Sequence, residues 1–416
     1  MTTRPRIRKT LALAVLPALA VAACSSAGAS NSGRKTAGSG DTIVVGATLS
    51  LTGSLSALAP PLEAGYQQEI ANVNAGGGIA IGGAKKKLQL VVMNNASNPA
   101  TASNQASELV RKDHAVALLG FATPQIVTTT ALVAEQLRVP FLTSQMPVEA
   151  FASGDKSGWR YSWDLFYDER QQAAAAARAL ASVPVDKKVK RVALFTDNEP
   201  DSEVERPLYQ AAFKADGLDL VGDYTFPLGT TNFSSFIAAA KARGAELVAG
   251  QLAPADGVTL WKQLKSLALR PKAAFLIDAS DGDSVWSSLG GLAQDTLSEG
   301  YWSPSQASPG QLAAITPTLG KKYAGTPNYA TAAVAYAVAE VLTDAIARAG
   351  SASPGQINTA ISHADAPTIA GPIKFRLTTH TAITPCYINQ WQNGKLLQVQ
   401  PLAHGVTLAV PTAGLG

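Results

Sequence analysis

The sequence predicts an α/β protein of two Rossmann-like lobes joined by a hinge in which the chain crosses more than once. Three observations carry this. Short apolar runs alternate with helix-length segments, the pattern of parallel strands with crossover helices. The alternation lapses into small and polar residues over Ala150–Gly158, then restarts as a second series. The last part changes to two helices and a hairpin, a tail able to return to both halves.

In the first series, Ile43–Thr48 reads as a buried strand leading into the small-residue loop Ser50–Ser54. A helix follows from about Pro61 to Asn72, with Pro in the first turn, where a missing N–H costs nothing, and a break at Asn74–Gly78. Leu88–Met93 is the next strand, and Asn94–Asn98 caps a helix over Pro99–Lys112. Then come strand Val116–Leu119, loop Gly120–Gln125, helix Ile126–Leu137, strand Val139–Leu142 and loop Thr143–Pro147. Both loops fall at the carboxyl edge of the sheet, where open α/β sheets hold ligands. They carry hydroxyls, amides and backbone N–H groups but no Cys, His or metal-ligand cluster, which predicts a binding edge rather than a reaction centre.

Arg160–Leu165 is extended, and Asp168 opens an Ala-rich helix to Val183. The second series has strands Arg191–Thr196, Asp219–Thr225, Leu247–Gly250 and Ala273–Ile277, with helices Val204–Asp216, Phe233–Arg243 and Ala255–Leu267 between them. The tail reads as helices Tyr329–Arg348 and Pro354–His363, then strands Ile373–Phe375, Cys386–Trp391 and Leu396–Val399, the last two turning at Asn393-Gly394. Glu340, Asp344 and Tyr336 within Ala330–Ala347 mark a core helix rather than a membrane span.

The N-terminus reads as an address. Arg4, Arg6, Arg8 and Lys9 precede an apolar run from Leu11 to Ala23 that is too short to cross a bilayer. It ends in Val21-Ala22-Ala23-Cys24, which resembles a bacterial lipobox and implies cleavage before Cys24 and acylation of that residue. Residues 1–23 are thus expected to be a signal peptide and 24–40, rich in Ser and Gly, a flexible tether. About 375 residues follow, enough for two lobes. The chain has 34 basic and 30 acidic residues; without the four basic residues of the leader the balance is even. That balance, with no basic stripe, argues against nucleic acid. Cys386 is then the only other thiol, so no intramolecular disulfide is available.

Several motifs fail on inspection. Gly78 and Gly83 have the spacing of a phosphate loop, but Ala84 and a strand follow instead of Lys-Ser/Thr and a helix. Gly76-x-Gly78 follows a helix, so it is no dinucleotide fingerprint. Neither a G-x-S-x-G elbow nor H-E-x-x-H occurs, and the four His have no partners at helical spacing. His114 has the bland role of an imidazole at a helix end. Asp197, Glu199, Asp201 and Glu203 alternate without a Gly-centred ligand loop, which favours surface or cleft carboxylates over a cation site. The aromatic run Trp159–Tyr167 is read as packing at the lobe crossing in preference to stacking on a ligand.

Val44–Gly53, Glu69–Ile79, Asn94–Val110, Ala115–Gly120, Val133–Ser144, Gln251–Lys272, and Gly371–Phe375 with Ile388–Lys395 occur in an order that supports a family resemblance. The chain resembles the leucine/isoleucine/valine-binding proteins, the substrate-binding components of ABC importers with the type I periplasmic-binding clamshell, over about Asp41 to Lys395. The resemblance implies a first lobe of 41–158 plus about 304–381 and a second of 159–303 plus about 382–416. It implies a non-enzymatic, lipid-anchored, monomeric protein on the extracytoplasmic face of the membrane, without cofactor or metal. Its partners would be a small amino-acid-like solute and an ABC permease. A ligand sensor of the same fold is the first alternative and a secreted hydrolase the second.

By position, the ligand-binding residues implied are Leu58, Thr123, Pro124, Gln125, Ser144 and Gln145 in the first lobe, with Pro147 beside them. The second lobe offers Asp201, Gln251 and Asp278, with Asp281 in reserve for a ligand's ammonium and helix capping the competing role for both. Pro124 and Pro147 stand where the amino-acid binders commonly place Ser and Thr. Proline supplies neither hydroxyl nor N–H, so a plain branched-chain amino acid is a poor match. Thr123 and Ser144 are the substitutes one residue away.

Overall fold

The computed structural model describes residues 42–416 apart from 145, 184–185, 187, 278–286, 366, 402–406, 410–414 and 416. The described chain forms two twisted sheets, each covered by helices on both faces. In the first lobe, β1 (Thr42–Leu49) pairs in parallel with β3 (Ala84–Asn94) on one side and β4 (Ala117–Leu119) on the other. Beyond β4 lie β5 (Phe141–Thr143), β6 (Ser162–Phe166) and β14 (Thr381–Ile383), all parallel. The short β2 (Ile79–Ile81) closes the far edge antiparallel to β3.

The second lobe repeats the plan. β7 (Arg191–Asp197) lies between β8 (Asp219–Phe226) and β9 (Leu247–Gln251), followed by β10 (Ala273–Ile277) and β11 (Leu297–Gly300). β15 (Tyr387–Gln392) and β16 (Lys395–Gln400) add an antiparallel hairpin at the edge.

Strand alternation divides each core in two. Ile43, Val45 and Ala47 pack with α1 (Ala59–Ala75), α10 (Pro327–Ala349) and α11 (Pro354–Ser362), the helix α9 (Pro309–Ile315) adding Ile315. Val44, Leu118 and Phe141 face the opposite layer, α2 (Pro99–Arg111), α3 (Pro124–Leu137) and α4 (Val148–Ser153). In the second lobe Val192 and Leu194 meet α5 (Glu169–Ser182) and α6 (Pro200–Ala215), while Ala193 and Phe195 meet α7 (Ser234–Ala242) and α8 (Pro254–Ser266). The long α10 is apolar because it is a core helix; Ala332 to Val338 are all buried. It approaches α1 so closely at Gly65 that a methyl group there would sit 2.3 Å from the Ala332 carbonyl oxygen.

The chain passes between lobes at Phe166–Glu169, Gly300–Pro304 and Ile383–Tyr387, three crossings that make the multi-strand hinge. Tyr301 meets the Phe166 ring edge-on at 4.9 Å and shares a 2.7 Å hydrogen bond with Thr331. On the second-lobe side, the Gln172 amide donates to Glu299 Oε2 at 2.6 Å and accepts from the Tyr209 hydroxyl at 2.8 Å. The aromatic run is packing: Trp159 stacks on Phe151, Trp163 on His380, and Phe166 lies against Tyr167 and Tyr301.

Three expectations need correction. The chain does not cross over Ala150–Gly158, nor does the second lobe begin at Trp159: β6 hydrogen-bonds beside β5 in the first sheet, so the crossing follows Phe166. The small and polar stretch is instead partly the helix α4, held by Glu169, whose carboxylate accepts from the Glu149 and Ala150 N–H groups. The tail boundary moves likewise, since Ala382 and Ile383 belong to the first sheet through β6. Finally, Ile373–Phe375 is no strand. Its apolar side chains are core packing, with Phe375 on the Trp163 ring, and the pairing nearby is the two-residue ladder β12 (Pro367–Thr368) with β13 (Gly371–Pro372).

Candidate ligand-binding site

Each sheet has a point where strand order reverses, between β1 and β4 in the first lobe and between β7 and β9 in the second. Loops leaving the sheet there diverge to opposite faces and open a crevice, the usual ligand position in this architecture. Here the two crevices face one another. Leu55 and Leu58 after β1 and Thr123 after β4 meet Asp197 at the end of β7, Glu199, Asp201 and Ser202 beyond it, and Ala253 after β9 around a cavity of about 30 Å³.

The first-lobe wall is set by local hydrogen bonds. Buried Asn95 accepts from Ser50 Oγ at 2.7 Å, and the Leu55 N–H donates to Ser97 Oγ at 3.1 Å, which fixes the loop carrying Leu55 and Leu58. Gly120 passes so near Thr143 that a methyl group would lie 2.5 Å from it, and Gly120 O accepts from Tyr66 at 2.9 Å. The chain then turns into α3 through Thr123, which takes φ 74°, a costly conformation for a β-branched residue. Its hydroxyl oxygen is shut off from solvent and has no hydrogen-bond partner among the described residues. Strain and an unpartnered hydroxyl at one crevice residue are the marks of a site built for a ligand.

The second-lobe wall is acidic. Asp197 is spent on structure: Oδ1 accepts from the Glu199 N–H and Ser202 Oγ, at 3.1 and 2.6 Å, and Oδ2 from the Ala253 N–H at 2.9 Å. It thereby ties the loop after β7 to the loop after β9. Glu199 reaches across the crevice, both carboxylate oxygens accepting from Gln125 Nε2 at 2.9 Å. Asp201, 8% exposed in the first turn of α6, accepts from the Ser202 N–H at 2.9 Å and from its own N–H. Burial, then the neighbouring Asp197 and Glu199 charges, push its carboxyl up to about 7. Burial raises Asp197 and Glu199 as well, and Asp256 behind them, which accepts from the Gly229 N–H.

Of the residues expected from sequence, the fold thus gathers Leu58, Thr123 and Asp201 around the cavity and sets Gln125 at its rim. Pro124 is buried as the first residue of α3, Ser144 is buried beside the Tyr66 phenol, and Gln251 is buried at the end of β9; none of the three faces the cavity. Pro147 precedes α4. Cys24, Gln145, Asp278 and Asp281 lie outside the described residues. Leu55 and Ala253 carry no chemical cue in the sequence, and Glu199 was legible as one of an acidic run but not as the group that meets Gln125.

A family model described as "Periplasmic binding protein" matches residues 42–395. The chain belongs to the periplasmic binding protein family. Within it, the chain falls with the leucine/isoleucine/valine-binding proteins of the type I fold. It is 24% identical over 380 residues to Leu/Ile/Val-binding protein homolog 8 of Brucella abortus, covering 86% of this chain and 90% of that one. The leucine-binding protein LivK of Thermotoga maritima superposes with a TM-score of 0.74 at 21% identity, covering 86% of this chain and 97% of its own. A solute-binding protein of an ABC transporter from R. palustris, solved with benzoate, gives 0.73 at 16% identity, with 89% and 97% covered. At such identities the two structures speak for the fold. Proteins of this family are extracytoplasmic binding proteins that serve ABC transporters rather than enzymes.

Proposed function

We propose that this periplasmic binding protein captures a small organic solute between its lobes and delivers it unchanged to an ABC importer, held at the outer membrane face by a lipid on Cys24. The observation that carries this reading is the meeting of both switch points around one cavity, lined by Thr123, whose hydroxyl has no partner among the described residues, from one lobe and by the buried Asp201 from the other. A solute touching both lobes lowers the free energy of the closed state relative to the open one, because the open state offers only half of its contacts. Closure also excludes water and strengthens each polar contact. The Gln125–Glu199 hydrogen bonds span the same gap and mark the closed arrangement.

Known relatives support a small organic solute: one solved neighbour is a leucine-binding protein and another holds benzoate. A solute enters with the lobes parted and is held as they return. The reading is tested by thermal-shift screening of the secreted protein against amino acids, amines, amides and aromatic acids, where a binder raises Tm by mass action. A Leu58→Trp variant, which fills the cavity from the first lobe, should abolish that rise. A rise that survives Leu58→Trp would place binding elsewhere and refute the reading.

A further inference from the structure

The solute-binding reading leaves the solute's charge open, and the crevice residues decide it. Resting on that reading, we infer that the solute is a net-cationic primary amine whose ammonium sits between Thr123 of the first lobe and Asp201 of the second. Asp197, Glu199 and Asp201 converge on the cavity, and no Lys, Arg or His lines it among the described residues. The three carboxylates are not equivalent. Asp197 has both oxygens occupied by three donors, and Glu199 holds Gln125, so these two supply negative field more than free acceptors. Asp201 accepts from backbone N–H groups, its own and that of Ser202 on Oδ1, and holds no side-chain donor among the described residues.

Opposite, the Thr123 hydroxyl is an independent sign of a ligand, since a buried, unpartnered hydroxyl is destabilising until something bonds to it. An ammonium has three donors and no acceptor, and both the hydroxyl and carboxylate oxygens can accept from it. An ammonium also relieves the like-charge crowding that raises Asp201. One ammonium offsets only one carboxylate, and a carboxylate on the solute would restore the repulsion. The solute is therefore net positive, a monoamine or diamine rather than a neutral amino acid or an aromatic acid.

The test is calorimetric titration with 1,4-diaminobutane, leucine and benzoate as probes at pH 8. We expect the diamine to bind, with at least tenfold loss in Asp201→Asn and a smaller loss in Thr123→Val, both variants matching the parent in circular dichroism. Binding of leucine or benzoate with no response to the diamine would overturn the inference and leave solute capture standing. Diamine binding that ignores Asp201→Asn would overturn it too. Diamine binding that also ignores Leu58→Trp would refute the lobe crevice itself.

Discussion

Asp201→Asn should move stability and binding in opposite directions. An aspartate that ionises near 3.8 when exposed is pushed up to about 7 here by burial and by Asp197 and Glu199. Between those values the unfolded chain has lost the proton while the folded chain keeps it, so stability falls as pH rises from about 4 to 7 and stays flat above. The full penalty is about 3 units of pKa, or about 4 kcal/mol, reached above pH 7. Asparagine keeps the shape and the acceptor for the Ser202 N–H but removes the charge, so it should recover at most about 4 kcal/mol at pH 8. Opening of the lobes relieves part of that penalty in the parent, which makes this a ceiling. For a folded part of about 375 residues, an unfolding entropy of about 0.8 kcal/mol/K turns that into a rise in Tm of up to about 5 °C. At pH 4 parent and variant should melt together. Scanning fluorimetry of both from pH 4 to 9, without solute, measures the difference curve and isolates this group from Asp197 and Asp256, which respond in the same sense. A difference that is constant across the range, or a variant less stable at pH 8 than its parent, would refute a buried, uncompensated carboxylate at this position.

Gln125→Ala removes the donor that bridges the lobes to Glu199, and should weaken closure by about 1 kcal/mol, the contact being at the solvent rim. Small-angle scattering should then show a larger radius of gyration without solute, and an unchanged radius would deny the bridge a role. Gly65→Ala drives a methyl group into the Ala332 carbonyl and should lower stability by about 1–3 kcal/mol, read as a lower urea midpoint at unchanged slope. Cys386 is half-buried, and burial with the nearby Glu299, Glu205 and Asp168 charges raises its thiol, so it should alkylate more slowly at pH 8 in the native protein than after unfolding; equal rates in both states would contradict that raised thiol. Cys24→Ala should move the protein from the membrane fraction to the soluble one, and persistence in the membrane would rule out a lipid on that residue.

The sheets were legible in the sequence where burial on both faces leaves a continuous apolar run, as in Ile43–Thr48, Arg191–Thr196 and Ala273–Ile277. β11 and β14 were not, because Leu297–Gly300 alternates with polar residues and Thr381–Ile383 is strand only by virtue of β6, far away in sequence. The crossing was misplaced for a related reason. Helix α4 lies in a stretch of small and polar residues, and what stabilises its first turn is Glu169, a carboxylate from the next lobe's first helix. Local composition cannot report a cap that arrives across the hinge.

The same limit explains which site residues could be read. Thr123 and Asp201 announce themselves by type and by position at strand ends. Their pairing depends on the register of two separate sheets, fixed by Asn95 holding the loop after β1 and by Asp197 holding the loops after β7 and β9. Both anchors are buried polar side chains that bond to neighbouring loops: Asn95 just after β3, behind the cavity, and Asp197 at the end of β7, lining it. Asp197 therefore serves twice, as the brace that positions the acidic wall and as part of the charge that raises Asp201. Replacing it with asparagine would change both at once, whereas Asp201→Asn changes the charge alone. The solute's charge is thus best read from Asp201, and the geometry of the wall from Asp197.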